Sequence, residues 1–244
     1  MSLTTLEQRA AARLSTPSGR LLIVAADQRN SMKAVMRDPA DGQAHPELIS
    51  PDELADAKGD IVTYLANHAP AILLDAAVAL PRLVADGTLH PGTGLVVGMD
   101  ASGYETRDGL RYTRQVEGVT PRTVRDLGGD AAKMLFYVRA DKQGADSQVA
   151  AQIRELVQAC TAEGLLLIVE LLTYRLEDES AADYEARFPE LVIEMARLGA
   201  QAGAKILKLP YAGSAQACAA VTAAIDPVPW AVLSSGVDHE TFAA

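Results

Sequence analysis

The chain has 244 residues, 49% hydrophobic and 22% charged, with a formal net charge of −10. That composition is globular, and the length admits one large α/β domain or two small ones. No Lys/Arg-rich stripe is present to neutralise phosphates, which argues against a nucleic-acid partner, and no apolar run approaches the roughly 20 residues of a membrane span. The start of the chain lacks a basic-then-apolar leader pattern. Cys160 and Cys218, the only cysteines, form neither a disulfide framework nor a CxxC, so a reducing cytoplasm is the expected location.

In chain order, the first expected strand covers Leu21–Ala26 and runs out into "DQRN". A helix follows in which Leu54, Ala57, Ile61 and Leu65 recur at three- to four-residue spacing. The second strand, Ala71–Leu74, leads into Asp75, and the third covers Gly94–Met99. The fourth, Ala132–Val138, carries Lys133 and precedes a helix with Val149, Ile153, Leu156 and Cys160 on one face. The fifth, Leu165–Leu172, carries Glu170; the next helix has Pro189 in its first turn and Leu191, Met195 and Leu198 on its apolar side. The sixth, Lys205–Leu209, carries Lys205 and Lys208, after which Ser214 reads as a helix N-cap. The seventh, Trp230–Ser234, enters "SSG", and Asp238 reads as the N-cap of a last helix.

The strands are nearly continuous in apolar residues, as parallel strands covered on both faces are. No linker or composition shift divides residues 1–244, so a single domain with a parallel α/β fold is expected. A dinucleotide-binding sheet would show G-x-G-x-x-G after its first strand, and this one ends without glycine. A (β/α)8 barrel instead places its chemistry at the C-terminal strand ends. Asp27, Gln28, Arg29, Asp75, Lys133, Glu170 and Lys208 fall at or near such ends.

Side chains alternate along a strand. Asp27 shares its face with Ile23 and Ala25, Lys133 with Leu135, Glu170 with Ile168, and Lys208 with Ile206, so all four are expected to point into a barrel lumen. Lys205 has the opposite parity and is expected to face helices or solvent as a snorkelling surface lysine. Lumenal charges of both signs survive only if they pair. A lysine among apolar residues beside a second cation is primed to be a neutral amine that attacks a carbonyl. The Schiff base then acts as an electron sink with no metal, and a nearby carboxylate shuttles protons. Lys133, Lys208 and Glu170 supply these parts.

His45, His68, His90 and His239 show no ligand spacing, and "SSG" is not a G-x-S-x-G nucleophile elbow. Neither a metal nor a cofactor is called for. The backbone of Ser234, Ser235 and Gly236, ahead of the Asp238-capped helix, suits an anion site. Two other readings stay open. One is a sugar-phosphate-binding barrel or regulator without turnover; the other is a phosphosugar isomerase or epimerase using Glu170 and Asp27 as acid and base.

The segments "VAADQRNSMKAVM", "AILLD", "GGDAAKMLFYV", "LIVELLTY", "KILKLP" and "WAVLSSGV" occur in that order. Together they resemble the class I (Schiff-base) aldolase family of tagatose-1,6-bisphosphate aldolase and sulfofructosephosphate aldolase, from about Leu21 onward. The resemblance implies a metal-independent retro-aldol enzyme, a lyase of carbohydrate metabolism. It would split a phosphorylated or sulfonated ketose into dihydroxyacetone phosphate and a three-carbon aldehyde. It assigns the Schiff base to Lys208, with Lys133 beside the nascent amine, Glu170 as the acid and Asp27 as a proton shuttle. Gln28 and Arg29 become substrate contacts, and Ser234, Ser235 and Gly236 a phosphate turn; Asp75, at its strand end, is expected as a further substrate contact. It also implies a homo-oligomer.

Two departures stand out. The run "KLPYAG" replaces the K-x-E-x-P pattern of many family members, and the sequence ends at "DHETFAA". Family members continue into an eighth strand with a Gly-Arg turn. The expectation is therefore a (β/α)8 barrel with the eighth unit missing from this chain.

Overall fold

The computed structural model describes residues 2–36, 46–234 and 240. Its elements in order are α1 (Thr5–Arg13), β1 (Ile23–Ala26), α2 (Asn30–Met36), α3 (Pro51–Tyr64), β2 (Ala71–Asp75), α4 (Leu80–Ala85), β3 (Gly94–Gly98), β4 (Asp100–Arg107), β5 (Leu110–Gln115), α5 (Pro121–Asp126), β6 (Ala131–Tyr137), α6 (Gln148–Ala162), β7 (Leu166–Leu172), α7 (Ala181–Gln201), β8 (Ile206–Pro210), α8 (Ala215–Ile225) and β9 (Trp230–Leu233). All seven expected strands are present within a residue or two of their expected bounds.

The main sheet is parallel, in the order β1-β2-β3-β6-β7-β8-β9. Each strand lies beside its predecessor, so the order never reverses as it would in a doubly wound sheet. The sheet also curls. Lys133 on β6 approaches Asp27, just past β1, to 3.0 Å. In a flat sheet three strand spacings of about 4.8 Å would separate them, more than the two side chains span. These are seven strands of a (β/α)8-type barrel.

Alternation along the strands creates two cores. The larger, between sheet and helices, includes Ile72, Leu74, Val97, Met134, Val169, Leu171 and Leu207. The smaller is lumenal: Ala71, Leu73, Val96, Ala131, Leu166, Ile168 and Ile206, closed from the N-terminal end by Ala10 of α1 and by Leu14, which caps its C-terminal end. Burying a leucine such as Leu14 contributes about 1.5–3 kcal/mol. Glycine at both lumenal ends of β3 makes room. A Cβ on Gly94 would stand 3.0 Å from the carbonyl oxygen of Arg13, and one on Gly98 would stand 3.3 Å from an Asp27 carboxylate oxygen.

Three expectations need correction. Pro189 lies inside α7 rather than in its first turn, because the helix starts at Ala181, where the Ser180 side chain caps it by accepting from the Asp183 amide. The buried face of α3 is Leu54, Ala55, Lys58 and Val62, not the stripe ending in Leu65, which is exposed. The helix is turned so that Lys58, fully buried, reaches the carboxylate of Asp75. Lys205 is also buried: it donates to Glu7 at 2.5 Å and to Thr161 at 2.9 Å. Its parity is as read, but the helices supply partners that keep it from solvent. Ser214 does cap α8, accepting from the Ala217 amide at 3.1 Å. Asp238 lies outside the described residues.

The antiparallel hairpin β4–β5 is an addition to the expected strand pattern. Its turn places Asp108 and Gly109 at φ 51° and 74°, the double left-handed geometry of a tight hairpin turn.

Candidate active site

The lumenal charges meet in a cavity of about 520 Å³ at the C-terminal ends of the strands. Asp27, Gln28 and Arg29 line it from the end of β1, Asp100 to Gly103 from the start of β4, Lys133, Leu135 and Tyr137 from β6, Glu170 and Leu172 from β7, and Lys208 from β8. The register explains the convergence: Gly98 pairs with Lys133, Leu135 with Glu170, and Glu170 with Lys208.

Lys133 is the hub. Its Nζ lies 3.0 Å from Asp27 Oδ2, 2.9 Å from Asp100 Oδ1 and 2.6 Å from Glu170 Oε2. Burial disfavours the ammonium, but Glu170, Asp27 and Asp100 outweigh it and raise the lysine above its ordinary value. Lys133 is thus held in its ammonium form at neutral pH. Burial likewise opposes ionisation of Asp27, yet Lys133 and Lys208 overcome it and lower its pKa.

Lys208 stands apart from this cluster. Its side chain is 18% exposed, against 5% for Lys133, and its charged neighbour is Glu170 Oε1 at 3.2 Å. Glu170 bridges the two lysines, with Oε1 toward Lys208 and Oε2 toward Lys133. The buried Oε2 nevertheless accepts no well-directed hydrogen bond. A carboxylate so placed, beside an amine and lining a cavity, is equipped to take or return a substrate proton.

Arg29 also lines the cavity and donates to the backbone oxygen of Asp100 at 2.6 Å. Asp75 does not line it. One carboxylate oxygen pairs with Lys58 and the other accepts from the amides of Ala77 and Val78 at 3.2 and 2.6 Å. Ser234 is exposed at the end of β9, away from the cavity lining; Ser235 and Gly236 lie outside the described residues.

Two groups escape the strand pattern. Asp100 follows the third strand directly, and the Asp-Gly turn within "YETRDGLRYTRQ" signals the hairpin that begins with it. The rim of the mouth is the second. Tyr137 packs edge-on against Tyr104 at 5.2 Å and Tyr174 at 6.1 Å between ring centroids. Behind it Arg139, fully buried, forks onto Asp141 and Glu179 and donates to the backbone oxygen of Tyr174 at 2.9 Å. This ties the loops after β6 and β7 together.

A family model described as DeoC/LacD family aldolase matches residues 21–244. The tagatose 1,6-diphosphate aldolase 2 of Streptococcus agalactiae serotype III (strain NEM316) is 27% identical over 197 residues, covering 80% of this chain and 58% of that protein. The tagatose 1,6-diphosphate aldolase of Listeria monocytogenes serotype 4a (strain HCC23) is 26% identical over 253 residues, covering 94% of this chain and 72% of that protein. The chain thus spans little more than half the length of the first of these relatives. Among solved structures, a Schiff base-forming fructose-1,6-bisphosphate aldolase superposes with a TM-score of 0.65 at 14% identity, over 98% of this chain and 85% of that one. The fructose-bisphosphate aldolase of Slackia heliotrinireducens DSM 20476 gives 0.65 at 16%, over 99% and 76%. At such identities the likeness is one of fold.

Proposed function

The chain belongs to the DeoC/LacD family of aldolases, and from that premise we propose that it is a metal-independent lyase cleaving a phosphorylated (or sulfonated) ketose through a Schiff base on Lys208. A substrate like the tagatose bisphosphate of its named relatives would yield dihydroxyacetone phosphate and a three-carbon aldehyde. The observation that carries this reading is the position of Glu170, a cavity-lining carboxylate that bridges Lys133 at 2.6 Å and Lys208 at 3.2 Å.

In this reading Lys208 Nζ attacks the C2 carbonyl, and Glu170 delivers the proton that lets the carbinolamine lose water. A carboxylate then accepts the C4 hydroxyl proton, through Glu170 or Asp27. The C3–C4 bond breaks, its electrons move into the iminium to give an enamine, and the aldehyde departs. Protonation at C3 and hydrolysis release the second product and restore the amine. Lys133, paired with three carboxylates, orients Glu170 and Asp27. Gln28 and Arg29, which line the cavity, contact the substrate.

Cleavage of tagatose 1,6-bisphosphate, followed as dihydroxyacetone phosphate release, tests the assignment. Lys208→Met is expected to lower kcat by at least about 10³-fold, the scale on which loss of a nucleophile is felt. Conversion of the ketose phosphate to an isomer without dihydroxyacetone phosphate release, unchanged in Lys208→Met, would instead select acid–base isomerisation by Glu170 and Asp27. Binding without cleavage in the unaltered protein would select a sugar-phosphate binder.

A further inference from the structure

Among the described residues, no carboxylate pairs with Arg111 on β5, although the chain carries a net charge of −10. Its guanidinium carbon lies 4.3 Å from the Tyr104 ring centroid and 4.6 Å from that of Tyr174. Its backbone amide donates to the Tyr174 hydroxyl at 2.9 Å. Neighbouring arginines differ: Arg29, Arg139 and Arg187 all direct side-chain donors to protein oxygens. Stacking between two rings fixes the guanidinium plane while leaving its N–H edge available. Two residues on, along the same face of β5, the buried hydroxyl of Thr113 also lacks a partner.

The two rings that hold Arg111 both pack against Tyr137, a cavity-lining residue. On β6, Leu135 pairs with Glu170, which pairs with Lys208. Tyr137 therefore stands one lumenal step, about 6.6 Å, toward the mouth from the level of Lys208. A ketose joined at C2 to Lys208 and extended toward the mouth would bring its far end to this rim.

We propose that Arg111 is a clamp for the anion at the end of the substrate remote from C2. The hairpin carries a stacked, pre-oriented guanidinium whose fork fits a phosphate or sulfonate oxyanion. The assignment rests on the aldolase reading for the direction of the substrate, and it makes the hairpin a determinant of chain length and terminal charge.

Equilibrium binding of hexitol 1,6-bisphosphate and hexitol 1-phosphate, which cannot form an imine, separates the clamp from the chemistry. The unaltered protein is expected to prefer the bisphosphate by about tenfold or more, the scale of a charge-assisted contact. Arg111→Met is expected to erase that preference by weakening the bisphosphate alone, with Arg111→Lys intermediate. If Arg111→Met does not fold, the selective loss in Arg111→Lys carries the comparison. A hexitol 1-phosphate with a 6-sulfonate shows which oxyanion the clamp favours. The proposal is overturned if both ligands weaken together, if neither does, or if the unaltered protein shows no preference. Borohydride trapping with dihydroxyacetone phosphate separates the two ideas. A bisphosphate preference that depends on Arg111, without a trapped imine, rejects the aldolase reading and keeps the clamp; an imine without that preference rejects the clamp.

Discussion

Lys133 shows how a lumen tolerates charge. Three carboxylates surround one ammonium, and removing any partner from such a set costs more than the pair contributes when intact. Asp27 gives this a pH signature. Its pKa in the folded protein is lowered, so its contribution to stability is fully present above the unfolded carboxylate value of about 3.9 and is lost as pH falls below it. Denaturant unfolding measured against pH is expected to show a steeper acid limb below about pH 4 in the unaltered protein than in Asp27→Asn. Equal limbs would place the pairing of Asp27 elsewhere. Lys133 is raised, so its contribution holds below about pH 10.4 and fades only as pH rises beyond that through the folded value. Single positions also mark what the sequence conceals. Strand-end position brings Asp27 and Asp75 to the same rim, yet Asp75 turns back to Lys58 on α3. Alternation specifies a face; it does not say which partner waits there.

At the scale of elements, α1 is fastened by one side chain. Glu7 completes the capping box with Thr4, and its other oxygen accepts from Thr161 and Lys205. Lys205→Met is expected to destabilise the fold by about 3–5 kcal/mol, since it strands a buried carboxylate, and to leave imine formation at Lys208 intact. Glu7→Leu combined with Lys205→Met should recover part of that loss, as replaced buried pairs often do. A Lys205→Met protein with unaltered stability in urea would contradict the pairing. That contact spans nearly the whole chain, which is why the pattern "AKILKLP" separates the two lysines by face but cannot show that the outward one is buried. The hairpin escapes the pattern for another reason. "YETRDGLRYTRQ" is polar on both faces and lacks the apolar run by which the barrel strands announce themselves, though its Asp-Gly turn carries the signal.

For the molecule as a whole, the apolar runs and their order were enough to specify the sheet, because each parallel strand buries both faces and follows its neighbour in the chain. The same regularity placed Asp27, Lys133, Glu170 and Lys208 in one lumen. The aromatic rim, Asp100 and the Arg139 network arise where loops cross above the barrel, and no periodicity encodes such crossings. What the barrel accomplishes is a division between two lysines on separate strands: one saturated with carboxylates, the other sharing a single carboxylate and facing the cavity. The central claim is that the second is the nucleophile. Borohydride reduction in the presence of dihydroxyacetone phosphate, followed by peptide mass analysis, reads it directly. One stable adduct is expected, on the peptide containing Lys208 and on that lysine alone. An adduct on Lys133 or Lys205, or none at all, would contradict it.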